Sequence, residues 1–275
     1  MVRRIQGQPI ALILLASALP GADVPEPRAL LQRMYEAERN NRRQATRFVY
    51  REDIRHLETL PDGSTRRRNW ITYEVTILEG EPYHRRVALN GQPLPPAEAQ
   101  LEESRYQKVA AYRRATSFEE RRQHHFAAEE NRFKFDTRLV VDNHDLKLLG
   151  DAPLLGRDTW VLEATPRRGT RKPKTRGEWS LSQKLRYWVD KQTGVPLQVE
   201  AVQLYDYDTS RKGTTTLVVY TEVEGVWLTE RIDSRGTRKI GREKVITETD
   251  QRYSNYRRFR ADSTLLFEDE PPRNP

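Results

Sequence analysis

Leu155-Gly156-Arg157-Asp158-Thr159-Trp160-Val161-Leu162-Glu163-Ala164-Thr165-Pro166 and Arg186-Tyr187-Trp188-Val189-Asp190-Lys191-Gln192-Thr193-Gly194 decide the fold of this 275-residue chain. Each is a run of period two beside a glycine turn, the pattern of a strand with one buried face. Working outward, the same period recurs at residues 145–149, 195–205, 214–223, 226–234 and 243–256, with Lys212-Gly213 and Glu224-Gly225 as turns. In the first half Phe48 and Tyr50 alternate with Arg47, Val49 and Arg51. Ile71, Tyr73, Val75 and Ile77 then alternate with Thr72, Glu74 and Thr76, and a third strand spans 83–89. Pro61-Asp62-Gly63, Glu79-Gly80-Glu81 and Asn90-Gly91 punctuate them, because proline presets φ and glycine permits a positive one. Hairpins in such regular succession predict a mainly β (α+β) chain built on one antiparallel sheet, curled or closed, rather than on βαβ units.

Two segments have the helical period. Residues 26–43 place Leu30, Leu31, Met34, Tyr35 and Ala37 on one stripe among charges. Residues 96–126, opened by Pro95-Pro96, predict a long charged helix with a narrow stripe of Leu101, Val109, Tyr112 and Phe118, weakly held and able to act as an arm or lid. A basic loop at 167–176 and a proline-rich tail at 263–275 carry the composition of mobile and disordered chain respectively.

Arg3 and Arg4 precede an apolar run at 9–18 that ends in small residues, the order of a cleaved secretory signal peptide over residues 1–22. Cleavage fits after Ala18 or after Ala22, and the run is far shorter than the roughly 20 residues of a membrane span. Ile5-Gln6-Gly7 fits a twin-arginine signal poorly, which favours the general secretory route. The expected mature chain is a periplasmic single domain over 23–262. There is no cysteine, which rules out a lipobox, disulfides, thiolate metal sites and cysteine nucleophiles. Charged residues make up 32% of the chain and the net charge is +8, a balance that would suggest nucleic acid in a cytosolic protein. Export removes that partner and leaves anionic lipid or envelope polymer, or simply a solubilising surface.

Candidate catalytic groups do not assemble into a motif. His124-His125 are adjacent and point about 100° apart on a helix, whereas a helical metal pair needs a spacing of three or four. The stretch Asp206-Tyr207-Asp208-Thr209-Ser210 begins like a calcium loop, but Arg211 stands where the glycine is needed and Leu217 where the bidentate glutamate is needed. No nucleophile elbow, phosphate loop or dinucleotide fingerprint occurs. Glu230 and Asp233 read as charges on the open face of a sheet. Neither an enzyme, a metal nor a cofactor is expected. The apolar side chains are more informative: Tyr73, Val75, Trp160, Leu162, Tyr187, Val189, Leu197, Val199, Val218 and Tyr220 share one face by alternation, and that face must be covered by a helix, a partner or a ligand. Complete and incomplete coverage by the chain's own helices both remain open.

The two stretches quoted above, together with Asp145-Leu146-Lys147-Leu148-Leu149-Gly150 before them and Val223-Glu224-Gly225-Val226-Trp227-Leu228 after, resemble the LolA-like outer-membrane lipoprotein-sorting superfamily, which includes LolB and RseB-type periplasmic sensors. The strongest match is the aromatic-Val-Asp-Lys-x-Thr-Gly strand end at 188–194, followed by Pro196-Leu197. The resemblance spans roughly residues 47–259. It implies a curled antiparallel half-barrel with helices covering the concave face and acyl chains bound between. The ten residues above are then the expected ligand-binding face, and the expected partner is a lipid or an acylated lipoprotein, with transient membrane contact. The alternative is an envelope interaction or sensor module whose half-barrel is self-filled and whose charged arm contacts an envelope protein. The charged helix is longer than in the compact carriers, and no residue matches the arginine that closes their lid.

Overall fold

The computed structural model describes residues 24–117, 119–121, 137–208, 210–240 and 243–259; the leader, His124-His125 and the tail lie outside them. Eleven strands follow one another: β1 Phe48–Thr59, β2 Thr65–Leu78, β3 Glu81–Leu89, β4 Gln92–Pro93, β5 His144–Leu154, β6 Arg157–Pro166, β7 Gln183–Asp190, β8 Pro196–Gln203, β9 Thr215–Val223, β10 Val226–Ile240 and β11 Glu243–Arg258. They form one antiparallel sheet in the order β4-β3-β2-β1-β11-β10-β9-β8-β7-β6-β5. Tight turns set most of the register. At Glu79-Gly80 and Leu155-Gly156 both residues have positive φ, the turn whose twist matches that of the flanking strands. The join between the two meanders is long-range, since β1 pairs with β11 across almost the whole chain. The sheet stays open, with β4 and β5 at its edges.

Cross-strand partners share a face, so register alone traces continuous rows across the sheet. One runs Leu148, Leu162, Tyr187, Val199, Val218, Ile232, Gln251, Ile54 and Ile71. Its neighbour runs Leu146, Ala164, Leu185 and Ala201 through β5–β8, then turns polar at Thr216, Ser234, Thr249, His56 and Asn69. This inner face carries the helix α1, Pro27–Ala45, which is capped by Glu26 accepting from the Ala29 amide at 2.7 Å and opened by Pro27. Leu30, Leu31 and Met34 of α1, with Val140 and Val141 of the helical residues 137–143, pack on Trp160, Leu162, Ala164, Leu185, Tyr187, Val189 and Ala201 as the main core. The face is concave. Pro82 and His84 of β3 line the same cavity as Tyr220 of β9, five strand steps away, a separation of about 24 Å in a flat sheet.

The second helix, α2, differs from its expected course. It spans Pro96–Ala115 and ends there, with Thr116 in extended conformation. Leu101 and Tyr112, expected on its buried stripe, are exposed, and the buried positions are Glu102 and Ala110. The helix packs on Leu78 and Tyr83, which lie on the opposite face from Val75 and His84. It therefore does not cover the inner face. Polar contacts explain the placement: the Tyr83 hydroxyl donates to Glu102 at 2.8 Å, and Arg113 donates to the carbonyls of Leu78, Glu81 and Pro82 along the β3 edge. A stripe count is blind to a helix held by its arginines.

The basic loop at 167–176 is tied down rather than loose. The Arg167 amide and the Thr170 hydroxyl donate to the Asn143 carbonyl, and Arg171 pairs with Glu178 at 2.5 Å. Asp206, the first residue of the would-be calcium loop, accepts from the Lys212 amide at 2.8 Å and closes a hairpin tip.

Candidate functional site

All of the ten predicted face residues other than Leu197 are placed on the inner face by register, and Leu197 sits at the β7–β8 bulge against Ala37 of α1, Val195, Trp227 and Tyr220. The structure divides them into two groups. Trp160, Leu162, Tyr187 and Val189 are buried beneath α1 and residues 137–143, with Val199 packed against them. Tyr73, Val75, Val218 and Tyr220 lie in the other half of the face, among residues the sequence did not single out as a site. The Asp190 motif that carried the family resemblance is a clasp: its carboxylate accepts from the Gln192 and Thr193 amides at 2.7 Å and from Arg157 at 2.6 Å. That explains its spacing without a ligand.

A cavity of about 360 Å³ opens beneath the C-terminal half of α1, walled by Phe48, Tyr50, Tyr220, Trp227, Tyr253 and Tyr256, with Glu38, Asn41 and Arg42 of the helix at its rim. Tyr50 packs on Tyr256 at 5.0 Å and on Tyr253 at 5.9 Å, and His84 meets Tyr50 edge-on at 6.5 Å. The tyrosines come together through a bulge. Tyr253 and Tyr256 are three apart, so strict alternation would send them to opposite faces. The register shift opposite Tyr50, with Asn255 at φ 56°, brings both inward. Burial pushes the Tyr50 phenol up to about 12 and those of Tyr220, Tyr253 and Tyr256 higher still, so all four are neutral donors at any physiological pH. The Tyr256 hydroxyl donates to the Thr229 carbonyl at 2.6 Å, whereas those of Tyr50 and Tyr220 make no hydrogen bond among the described residues and remain available. Behind the rings Glu52 is buried, with His84 Nδ1 at 3.2 Å.

A larger groove, of about 1140 Å³, crosses β8, β9, β10, β11, β1 and β2 and includes the polar row. Within it His56 stands between Thr249, whose hydroxyl is 3.1 Å from Nδ1, and Glu58, whose carboxylate is 3.4 Å from Nε2. A hydroxyl, an imidazole and a carboxylate in line are the ingredients of nucleophilic catalysis. Here the carboxylate is taken by Arg238 at 2.7 Å, and β11 is paired on both sides around Thr249, which leaves no pair of amides free to hold an oxyanion. Among the described residues no three His, Asp or Glu side chains cluster as metal ligands, and no helix is long and apolar enough to cross a membrane.

No protein-family profile and no curated protein sequence matches the chain. Solved structures do. A domain designated an outer membrane lipoprotein-sorting protein, from Vibrio parahaemolyticus, is 15% identical with a TM-score of 0.37, over 85% of this chain and 95% of that one. A complex of MucB with MucA from Pseudomonas aeruginosa matches at 12% identity and TM-score 0.26, over 84% and 94%. At these scores no assignment of function follows from the likeness. A LolA superfamily protein from Nitrosomonas europaea matches at 13% identity and TM-score 0.34, over 85% of this chain and 93% of that one.

Proposed function

We propose that this chain is an exported, non-enzymatic binding protein of the periplasm, and that the ligand of its inner face is a lipid or the acylated end of a lipoprotein. The observation that carries the reading is the way α1 sits. Its apolar side chains occupy a continuous aliphatic and aromatic floor, and the polar ties beside them include Arg28 to Asp142 at 3.4 Å, the Tyr35 hydroxyl to that of Tyr187 at 3.4 Å in mid-helix, and Asn41 to the Trp227 backbone at 2.6 and 2.8 Å. Burial of Leu30, Leu31 and Met34 is worth about 1.5–3 kcal/mol each. An acyl chain of sixteen carbons, at about 0.8 kcal/mol per methylene, is of a size to displace them. In this reading α1 is the lid, a role the sequence pointed towards for the second helix.

The second reading is supported by the same burial. If Leu30, Leu31 and Met34 never leave the floor, the half-barrel is self-filled and the chain is an envelope interaction or sensor module. Native mass spectrometry of the full chain purified from its own envelope separates the two. Lipid or lipopeptide adducts are the expected result. A bare chain that also fails to take up a fluorescent fatty acid would leave the interaction module.

A further inference from the structure

We propose that the aromatic cavity beneath the C-terminal half of α1 binds an organic ammonium group, with Glu52 as its counter-charge. The argument begins with the buried carboxylates. Glu58, Glu102, Glu178 and Asp190 each have an arginine within reach, Arg238 at 2.7 Å, Arg105 at 3.4 Å, Arg171 at 2.5 Å and Arg157 at 2.6 Å. Glu52 is 8% exposed, and its hydrogen-bond partner among the described residues is His84 Nδ1 at 3.2 Å; Tyr253 lies opposite it across the β1–β11 pair and donates its hydroxyl to Gln251 at 3.0 Å. In a chain with 48 lysines and arginines against 40 acids, this carboxylate alone of the five has no fixed cation among the described residues. A buried carboxylate is costly unless a positive charge or strong donors answer it.

The wall in front of Glu52 is suited to supply such a charge. His84, its hydrogen-bond partner, and Tyr253, its cross-strand neighbour, both line the cavity, so a bound cation would sit one layer from the carboxylate. Tyrosine and tryptophan rings present negative π faces, and a cation held among several of them gains without needing directed hydrogen bonds. Each arginine near the wall is paired with an acid: Arg42 with Glu38 at 2.5 Å, Arg258, which lies over the Phe48 ring, with Glu224 at 2.8 Å, and Arg157, which lies over the Trp227 ring, with Asp190 at 2.6 Å. A space of about 360 Å³ admits a trimethylammonium or aminoethyl group but not a folded polypeptide. The Tyr50 and Tyr220 hydroxyls are placed to accept from a primary amine.

An ammonium group can arrive on a zwitterionic lipid headgroup or as a free amine solute. Isothermal titration of the full chain with choline, with its uncharged isostere 3,3-dimethylbutanol and with monomeric dihexanoylphosphatidylcholine tests the site and separates the sources. Choline is expected to bind at least about tenfold more tightly than the isostere, and Glu52→Gln to weaken it about tenfold with the thermal transition retained. A further tenfold gain for the short-chain lipid assigns the site to a headgroup, and parity with choline assigns it to a solute. If Glu52→Gln fails to fold, Tyr220→Leu makes the same test from the ring side. Equal binding of choline and the isostere, or no binding of either cation by the folded chain, overturns the proposal. The acyl reading stands apart: a chain that takes up fatty acid but not choline defeats this inference alone.

Discussion

The two halves of the inner face are built on the same alternation and end up with opposite properties. Along one row the residues are Leu146, Ala164, Leu185 and Ala201 over β5–β8, then Thr216, Ser234, Thr249, His56 and Asn69 over β9 to β2. The first half is covered by α1 and residues 137–143 and supplies the core. The second holds its polar groups in cross-strand bonds, such as His56 to Thr249 and Glu58 to Arg238, and keeps its aromatic residues around a cavity. Stability and recognition are thus divided along one sheet. A half-barrel can spend part of its concave face on a core without surrendering the rest.

The largest expected effect tests that division directly. Leu162 has no exposed surface and lies at the centre of the covered half; Leu162→Ala should cost about 3–5 kcal/mol in denaturant unfolding. Ile54, its counterpart in the same row, is partly exposed, and Ile54→Ala should cost less than half as much. Equal losses would mean that both halves belong to one core. Next comes the clasp at one end of β7. Asp190→Ala removes the partner of Arg157 and two turn acceptors at once, for an expected loss of about 2–3 kcal/mol in the same experiment.

Much of this architecture was legible because hairpins are local. Dipeptides such as Glu79-Gly80 and Leu155-Gly156 announce both the strand ends and the turn geometry, and alternation assigned Leu162, Tyr187, Val199 and Val218 to one face, where the register sets them in one row. What local pattern cannot carry is pairing across the chain. The β1–β11 join brings Tyr50 and Glu52 beside Tyr253, and without it neither the aromatic wall nor the unmatched carboxylate exists. The bulge at Asn255 hid Tyr256 from a period-two reading. In α2 the exposed Leu101 and buried Glu102 reverse a hydropathy count, because arginine donors rather than an apolar stripe hold that helix.

The opposite end of β7 offers a subtler probe of the covered half. Arg171, followed by the Lys174 amide, holds the Glu178 carboxyl down at about 2, against an ordinary value of 4.5. The folded carboxylate thus favours the ionised form, so its contribution is complete above about 4.5 and is lost as pH falls from there through 2. Hydrogen exchange of residues 167–182 should therefore accelerate across that window while β5–β8 stay protected. Glu178→Gln should show the faster exchange already at neutral pH. Uniform protection at pH 3 would mean that the carboxylate does not tether the loop.

The smallest expected effects distinguish working hydroxyls from available ones within the aromatic half. Tyr256→Phe removes a donor to the Thr229 carbonyl and should cost about 1 kcal/mol. Tyr50→Phe and Tyr220→Phe remove hydroxyls that bond to nothing among the described residues, so unfolding should move by no more than a few tenths of a kcal/mol. Such neutrality would have a specific meaning. A half-buried phenol on a cavity wall whose hydroxyl has no structural partner adds little to folding through that group, and a group that stability ignores is one that recognition is free to use. A loss from Tyr220→Phe as large as that from Tyr256→Phe would instead place the hydroxyl in the frame of the fold and shrink the recognition surface to the rings.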